Sequence, residues 1–171
     1  VRVIESATSE VSRLSMLPST PRVMPSSSTV VQVSSVKLGS AGQLLWSKQH
    51  AGGFRADDAA TSASGDTTFA GYVYGDLNLT GLGGGVLPSF TPSSNAVLIT
   101  LAADGSLSAA RNYSVPSMYI GPDKGLRAVA YDPSGFVVTA GYMQAEIDMG
   151  FGPMDAGTAS DILVARLPPS L

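Results

Sequence analysis

The chain has no cysteine, one histidine and one tryptophan in 171 residues, and only 13% of its residues are charged. The missing cysteine excludes disulfides, thiolate nucleophiles and Cys-ligated zinc or iron–sulfur sites, and leaves the compartment open. Charge at about half the usual share leaves the polar surface to Ser, Thr, Asn and Gly. With 10 basic against 13 acidic residues the net charge is −3, so the electrostatic footprint that binds nucleic acid or an anionic membrane is missing. No apolar run approaches the roughly 18–20 residues of a membrane-spanning helix; Ala96 to Leu101 is typical, and Thr100 interrupts it. What is present, 44% hydrophobic residues with 19 Gly and 11 Pro, is the composition of one packed domain and not of a disordered chain.

The opening Val1-Arg2-Val3-Ile4 has no methionine, and no apolar segment with a small-residue cleavage site follows. No signal peptide is read here, and the expectation is a non-standard start or lost upstream residues. Residues 1–28 read as a Ser/Pro-rich leader or linker, with Pro18, Pro21, Pro25 and Ser26-Ser27-Ser28. Glu5 to Leu17 is either a short helix or part of a mobile leader.

From Thr29 the periodicity is that of strands. Val30, Val31, Val33, Val36 and Leu38 lead into the turn Gly39-Ser40-Ala41-Gly42 and a second run from Gln43 to Gln49, which predicts a hairpin. The hairpin recurs with Asn95 to Leu101, the turn Ala102-Ala103-Asp104-Gly105, and Ser106 to Tyr113. Leu38 matches Leu101 and Gly42 matches Gly105, both at an offset of 63 residues. Asp161 to Leu167 repeats its first strand. A second unit, Gly65-Asp66-Thr67-Thr68-Phe69-Ala70-Gly71-Tyr72, lines up with Gly135-Phe136-Val137-Val138-Thr139-Ala140-Gly141-Tyr142 at an offset of 70. Small-residue runs precede both copies, and Asp76-Leu77-Asn78-Leu79 and Glu146-Ile147-Asp148-Met149 follow them. Such matching register points to internal duplication.

One full unit holds four predicted strands, at 56–63, 66–74, 95–102 and 106–113. Strand 96–101 is apolar on both pleat faces, with Ala96 and Leu98 on one and Val97, Ile99 and Leu101 on the other. Both faces should therefore be covered by neighbouring sheets. The Ala/Ser/Thr-rich first strand of each unit suits strands that converge on a crowded axis. These residues, with Asn95-Ala96-Val97-Leu98-Ile99-Thr100-Leu101, Ala103-Asp104-Gly105-Ser106-Leu107 and Ser160-Asp161-Ile162-Leu163-Val164-Ala165-Arg166-Leu167, resemble the β-propeller repeats of bacterial secreted and cell-surface proteins. The resemblance covers about 30–171 and implies an all-β fold of four-stranded antiparallel blades. It divides 29–171 into a half blade at 29–50, a full blade at 55–113 and a three-stranded blade at 126–167. It also implies an extracellular or cell-envelope location, and it carries no catalytic residue with it. About two and a quarter blades cannot close a ring, so either a truncated larger propeller or homo-oligomeric ring assembly is expected, because end blades leave apolar faces open.

Several constellations bear on chemistry. Asp76, Asn78, Glu146 and Asp148 alternate with apolar residues as the opening of an oxygen-ligand calcium loop does, and a strand end with period-two alternation explains them equally. No other cofactor is indicated. Asp57 and Asp58 enter the first strand of the full blade, where one carboxylate can face a central channel or cap a turn. Asp58 is matched by Ala128, which argues against a ring of carboxylates. His50, beside Ala51-Gly52-Gly53, has no G-x-S-x-G partner motif, and Gly81 to Val86 lacks dinucleotide spacing and a phosphate-loop lysine. Trp46, Tyr72 and Tyr142 sit at strand positions expected to pack. Tyr113 and Tyr119, by the loop 112–125, are the freer candidates for a sugar-stacking platform.

Two functional classes follow. One is a non-catalytic exported scaffold or binding module that holds a protein or glycan through its loops. The other is a propeller-type glycan hydrolase or lyase using channel carboxylates. Neutral composition and the absence of a repeated acid/base constellation favour the first.

Overall fold

The computed structural model describes residues 32–90, 94–115, 124–144, 146–157 and 159–168. The 1–28 segment, the helix considered at Glu5 to Leu17, and Tyr119 lie outside the described residues. The described chain is all-β. Its strands are β1 (Gln32–Leu38), β2 (Leu44–Thr61), β3 (Thr67–Asn78), β4 (Val86–Leu87), β5 (Asn95–Leu101), β6 (Leu107–Asn112), β7 (Gly125–Tyr131), β8 (Val137–Met143), β9 (Ile147–Asp148), β10 (Pro153–Met154) and β11 (Asp161–Leu167). A single 3-10 turn covers Thr80–Leu82. Among the described residues no helix is long and apolar enough to cross a membrane.

Four hairpin turns share one design. The N–H of the first turn residue donates to the carbonyl four positions on, and a left-handed glycine three positions on donates back to that first residue. The pairs are Gly39 with Gly42, Ser62 with Gly65, Ala102 with Gly105, and Asp132 with Gly135. The glycines have φ between 82° and 91°, values that a side-chain-bearing residue rarely adopts. These are the turns on which the repeat offsets of 63 and 70 were read.

All strand pairs are antiparallel. β1, β2, β3, β5 and β6 lie side by side in that order, with β4 also on β3, and β7, β8 and β11 form a second sheet with β8 in the middle. β9 and β10 make a two-stranded ribbon. The duplication extends to an irregularity. The ladder slips between Ala56 and Asp58 against β3, and between Leu126 and Ala128 against β8, which are equivalent positions. Opposite each slip stands a glycine, Gly71 or Gly141, pressed against the bulged backbone at Arg55 or Gly125. A β-carbon has no room there.

Where the sequence reading separates a half unit ending at 50 from a full unit starting at 55, the structure has one continuous strand. β2 pairs through Leu44–Ala51 with β1 on one edge and through Ala51–Thr61 with β3 on the other. The glycine pair at 52–53 coincides with a ladder irregularity, so it bends the strand without ending it. No proline interrupts the run.

Every residue of β5 is buried. On one side Ala96 and Leu98 pack with Ala70 against Leu126, Val129, Val137, Leu163, Ala165 and Leu167 of the second sheet. On the other, Val97, Ile99 and Leu101 join Phe69, Val73, Phe54 and Trp46. The indole N–H of Trp46 donates to the Ala103 carbonyl at 3.1 Å, and the Lys37 ammonium donates to the Gly65 carbonyl. The first hairpin is thereby fixed over the turns of its neighbours. The molecule is a stack, with the β1–β2 hairpin, the β3–β5 region and the second sheet in sequence. The two-faced apolar pattern of β5 has its cause in that order.

Polar groups also cross the junction between sheets. Thr68 shares its hydroxyl with Thr100 at 2.7 Å and with Tyr131 at 2.6 Å. Asp58 accepts from the Ala59 N–H and, across the junction, from the Val129 N–H, both at 2.8 Å. Thr68, Thr100, Tyr131 and Asp58 thus all have partners at this junction, the condition for burying polar groups cheaply.

Candidate functional site

The structure assigns most of the sequence-selected polar residues to structural bonds. Asp58 is half-buried and ties β2 to β7 as just described, so its carboxylate is a strand-to-strand link and not a turn cap. Asp57 pairs with Arg55 at 3.3 Å and with Arg127. Arg127 occupies the position of Asp57 one unit further on, so equivalent positions of neighbouring units carry opposite charge. Its guanidinium lies between the rings of Tyr72 and Tyr142, at 5.3 and 4.9 Å, and donates to the Tyr142 hydroxyl at 2.9 Å. The Tyr72/Tyr142 pair, expected to pack within blades, instead clamps an arginine at the junction between sheets.

Three of the four calcium candidates, Asp76, Asn78 and Asp148, act as caps. Asp76 accepts from the Ser89 N–H at 2.8 Å, and Asn78 accepts from the N–H and hydroxyl of Thr80. Asp148 accepts from the N–H groups of Gly150 and Gly152. Next to Glu146 the buried Lys124 ammonium donates to the Glu146 carbonyl at 2.6 Å. Burial pushes the Lys124 pKa down, and Glu146 opposes that shift. Among the described residues no three acidic or histidine side chains converge as a metal site requires. His50 lies in β2, opposite Val33 in the ladder.

Tyr113 behaves differently from every other candidate. Its N–H donates to the Ala96 carbonyl and its carbonyl accepts from the Asp148 N–H, both at 2.9 Å, and the adjoining Ser114 bridges Ile147. These bonds pin the chain after β6 between the large sheet and the β9–β10 ribbon and turn the ring into the core, where 4% of the residue is exposed. It is therefore not the open stacking platform that its loop-edge position suggested. Among the described residues its hydroxyl is buried with no hydrogen-bond partner, an arrangement that costs about 1–3 kcal/mol in a protein interior. Burial raises the phenol pKa to about 12, against a small opposing pull from Arg111.

Tyr113 lines two adjoining cavities. The larger, about 310 Å³, is shared with Phe90, Arg111, Asn112, Asp148 and Gly150. The smaller, about 180 Å³, adds Phe151, Leu167 and Pro168. Phe90 and Phe151 are exposed at 37% and 72%. The result is a polar-edged recess with aromatic rings at its rim, and with the Tyr113 hydroxyl itself buried out of reach of solvent. Of the predicted residues, it unites Tyr113 and Asp148 and leaves out Asp58, Asp76, Asn78 and Glu146. Arg111, Phe90 and Phe151 escaped the sequence reading. Phe151 had a signal: it stands between Gly150 and Gly152, both left-handed at φ 94° and 98°, a turn that presents one aromatic ring to solvent.

The orphan hydroxyl has a thermodynamic signature. The unfolded chain loses this proton near pH 10, whereas the folded chain holds it to about 12. Stability contributed by the neutral phenol is full below pH 10 and falls as pH rises through the folded value, by about 3 kcal/mol in total. Urea unfolding between pH 9 and 12 is expected to show this decline in the wild type and a shallower one in Tyr113→Phe. At neutral pH the same variant should be as stable as the wild type or more so, because an unpartnered group is removed. Equal alkaline slopes would place the phenol in water.

No known protein family matches the chain, and no curated protein matches it significantly.

Proposed function

We propose that the chain is a non-catalytic binding module built of β-propeller-type repeats, working outside the cell or in the cell envelope, and that it holds a glycan in the Tyr113 recess. The repeat architecture is supported by duplicated turns, bulges and strand registers, and by β5 having both faces covered by neighbouring elements. The observation that carries the function is the pair of adjoining recesses rimmed by exposed Phe90 and Phe151. A sugar ring face lies on the aromatic rim while polar groups of the recess edge meet its hydroxyls. The larger cavity is at the lower limit for small-molecule sites, about 300 Å³, which suits one or two sugar rings and not a folded protein surface.

The competing enzyme reading needs a pair of available carboxylates. Asp57 is engaged by two arginines, Asp58 by two backbone N–H groups, and Asp148, the acidic residue in the recess wall, by two more. That supports binding without turnover. Screening the labelled chain on a glycan array is the test. Saccharides retained by the wild type are expected to bind about tenfold more weakly to Phe151→Ala, the loss of one aromatic contact of about 1.5 kcal/mol. Hydrolysis of a bound saccharide, or retention unaffected by Phe151→Ala, would sink the reading.

A further inference from the structure

Two segments of the chain have the form Asn-x-Ser/Thr without an intervening proline, Asn78-Leu79-Thr80 and Asn112-Tyr113-Ser114. This is the acceptor pattern for attaching an oligosaccharide to the asparagine side chain, and it serves only where the amide nitrogen reaches the surface. The fold treats the two asparagines in opposite ways.

Asn112 is half-buried and its side chain is fully engaged. Its Nδ2 donates to the Pro88 carbonyl at 3.0 Å and to Asn95 Oδ1 at 3.2 Å, and its Oδ1 accepts from the Ser114 N–H at 2.9 Å. Ser114 is 3% exposed, and its hydroxyl oxygen accepts from the Ala96 N–H. Neither end of this pattern is presented to another molecule.

Asn78 ends β3, and the turn Thr80–Leu82 follows it. Leu77, Leu79 and Leu82 are buried in one of the two cores, whereas Asn78 and Thr80, set among them, are exposed. The Thr80 N–H donates to the Asn78 side chain at 2.9 Å. A backbone N–H can only donate, so the atom that faces it is the carboxamide oxygen, and the nitrogen is turned the other way. The Thr80 hydroxyl bonds the same oxygen at 2.7 Å. Among the described residues Asn78 Nδ2 has no hydrogen-bond partner.

The surroundings have room for a bulky group. The Gly85 carbonyl accepts from the Leu79 N–H, which brings the glycine run beside Asn78, and a β-carbon added at Gly83 or Gly85 would meet nothing within 4 Å. Asp76, two residues ahead on the same exposed face of β3, adds a carboxylate to the surface that a modifying enzyme meets. The loop belongs to the unit that has a neighbour on each side, so its exposure does not arise at an end of the stack.

We propose that Asn78 is an acceptor of N-linked glycosylation. Asn78 Nδ2 attacks the anomeric carbon of a lipid-diphosphate-linked oligosaccharide held by a transferase. A C–N bond forms as the C–O bond to the diphosphate breaks, the lipid diphosphate leaves, and one amide proton passes to a base of the transferase. Modification in the cell rests on the location proposed above, outside the cell or in the envelope. The acceptor geometry depends neither on that location nor on the Tyr113 recess.

The test incubates the purified, folded chain with a single-subunit bacterial oligosaccharyltransferase and its lipid-diphosphate-linked oligosaccharide, followed by intact mass and peptide mapping. A synthetic peptide of residues 73–83 is the control acceptor. The folded wild type should gain one oligosaccharide, mapped to Asn78, with Asn112 unmodified. Asn78→Gln and Thr80→Ala should each gain none. Should either variant fold poorly, the site mapped on the wild type still decides. Transfer to the peptide but not to the folded chain overturns the proposal, because the fold then withholds the nitrogen. Transfer to neither, or transfer mapped to Asn112 of the folded chain, overturns it as well. Saccharide retention on the array is read on the unmodified chain, so failure of the recess reading leaves this result standing.

Discussion

Gly71→Ala is expected to destabilise the fold by about 3 kcal/mol or more, the range reached when an added atom forces backbone to move. The new methyl would overlap the Arg55 carbonyl oxygen and stand 2.9 Å from its carbon, and backbone in the middle of a ladder cannot rotate away as a side chain can. Gly141→Ala meets the same obstacle at Gly125 and Leu126 and should cost about as much. Gly85→Ala is the control: no atom lies within 4 Å of its β-carbon, and a change within about 0.5 kcal/mol is expected. Urea unfolding of the three variants measures this. A Gly71→Ala protein as stable as the control would mean that the bulge at Ala56–Asp58 is not rigid.

Leu98→Ala and Val164→Ala probe one topological position in two settings. Leu98 is fully buried between two sheets, and truncation leaves a void that the flanking layers cannot both fill, so a loss of about 2–5 kcal/mol is expected. Val164 stands at the matching place on β11, opposite Ala140 as Leu98 is opposite Ala70, with most of its surface in water; its truncation should change the stability of the chain by less than about 0.5 kcal/mol. Thermal and urea unfolding at low concentration provide the comparison. If both cost the same, the Val164 face of the second sheet is already covered.

The sequence was most informative where structure is local and repeated. The turns at Gly42, Gly65, Gly105 and Gly135 are legible because the left-handed position tolerates little else. β5 is legible because seven consecutive buried residues, with Thr100 as the polar exception on the face of Ala96 and Leu98, leave a two-sided apolar record. The continuity of β2 was not legible. Gly52-Gly53 has the composition of a loop, and pairing with β1 before it and with β3 through and after it keeps the segment in one strand.

The recess was half visible for a related reason. Tyr113 stood out as an aromatic residue beside a loop, but its burial depends on bonds to Ala96 and Asp148, partners 17 and 35 positions away in the chain. Asp57 and Asp58 resembled channel carboxylates because their partners, Arg127 and the Val129 N–H, are about 70 residues distant. Spacing within a motif carries no trace of such partners. The offset of 70 could have revealed one of them, since it places Arg127 at the position of Asp57 and reverses the charge.

β2 also sets the size of the cooperative unit. Trp46 and Phe54 anchor it in one core, and Ala60 packs on the other. Repeat arrays whose units meet only through side chains can fray from an end, one unit at a time. Here the first hairpin cannot detach without drawing out a strand that also forms the floor of the next unit. Local opening of that end is coupled to global unfolding, and those amides between Phe54 and Thr61 that donate to β3 belong with the slower-exchanging protons of the molecule.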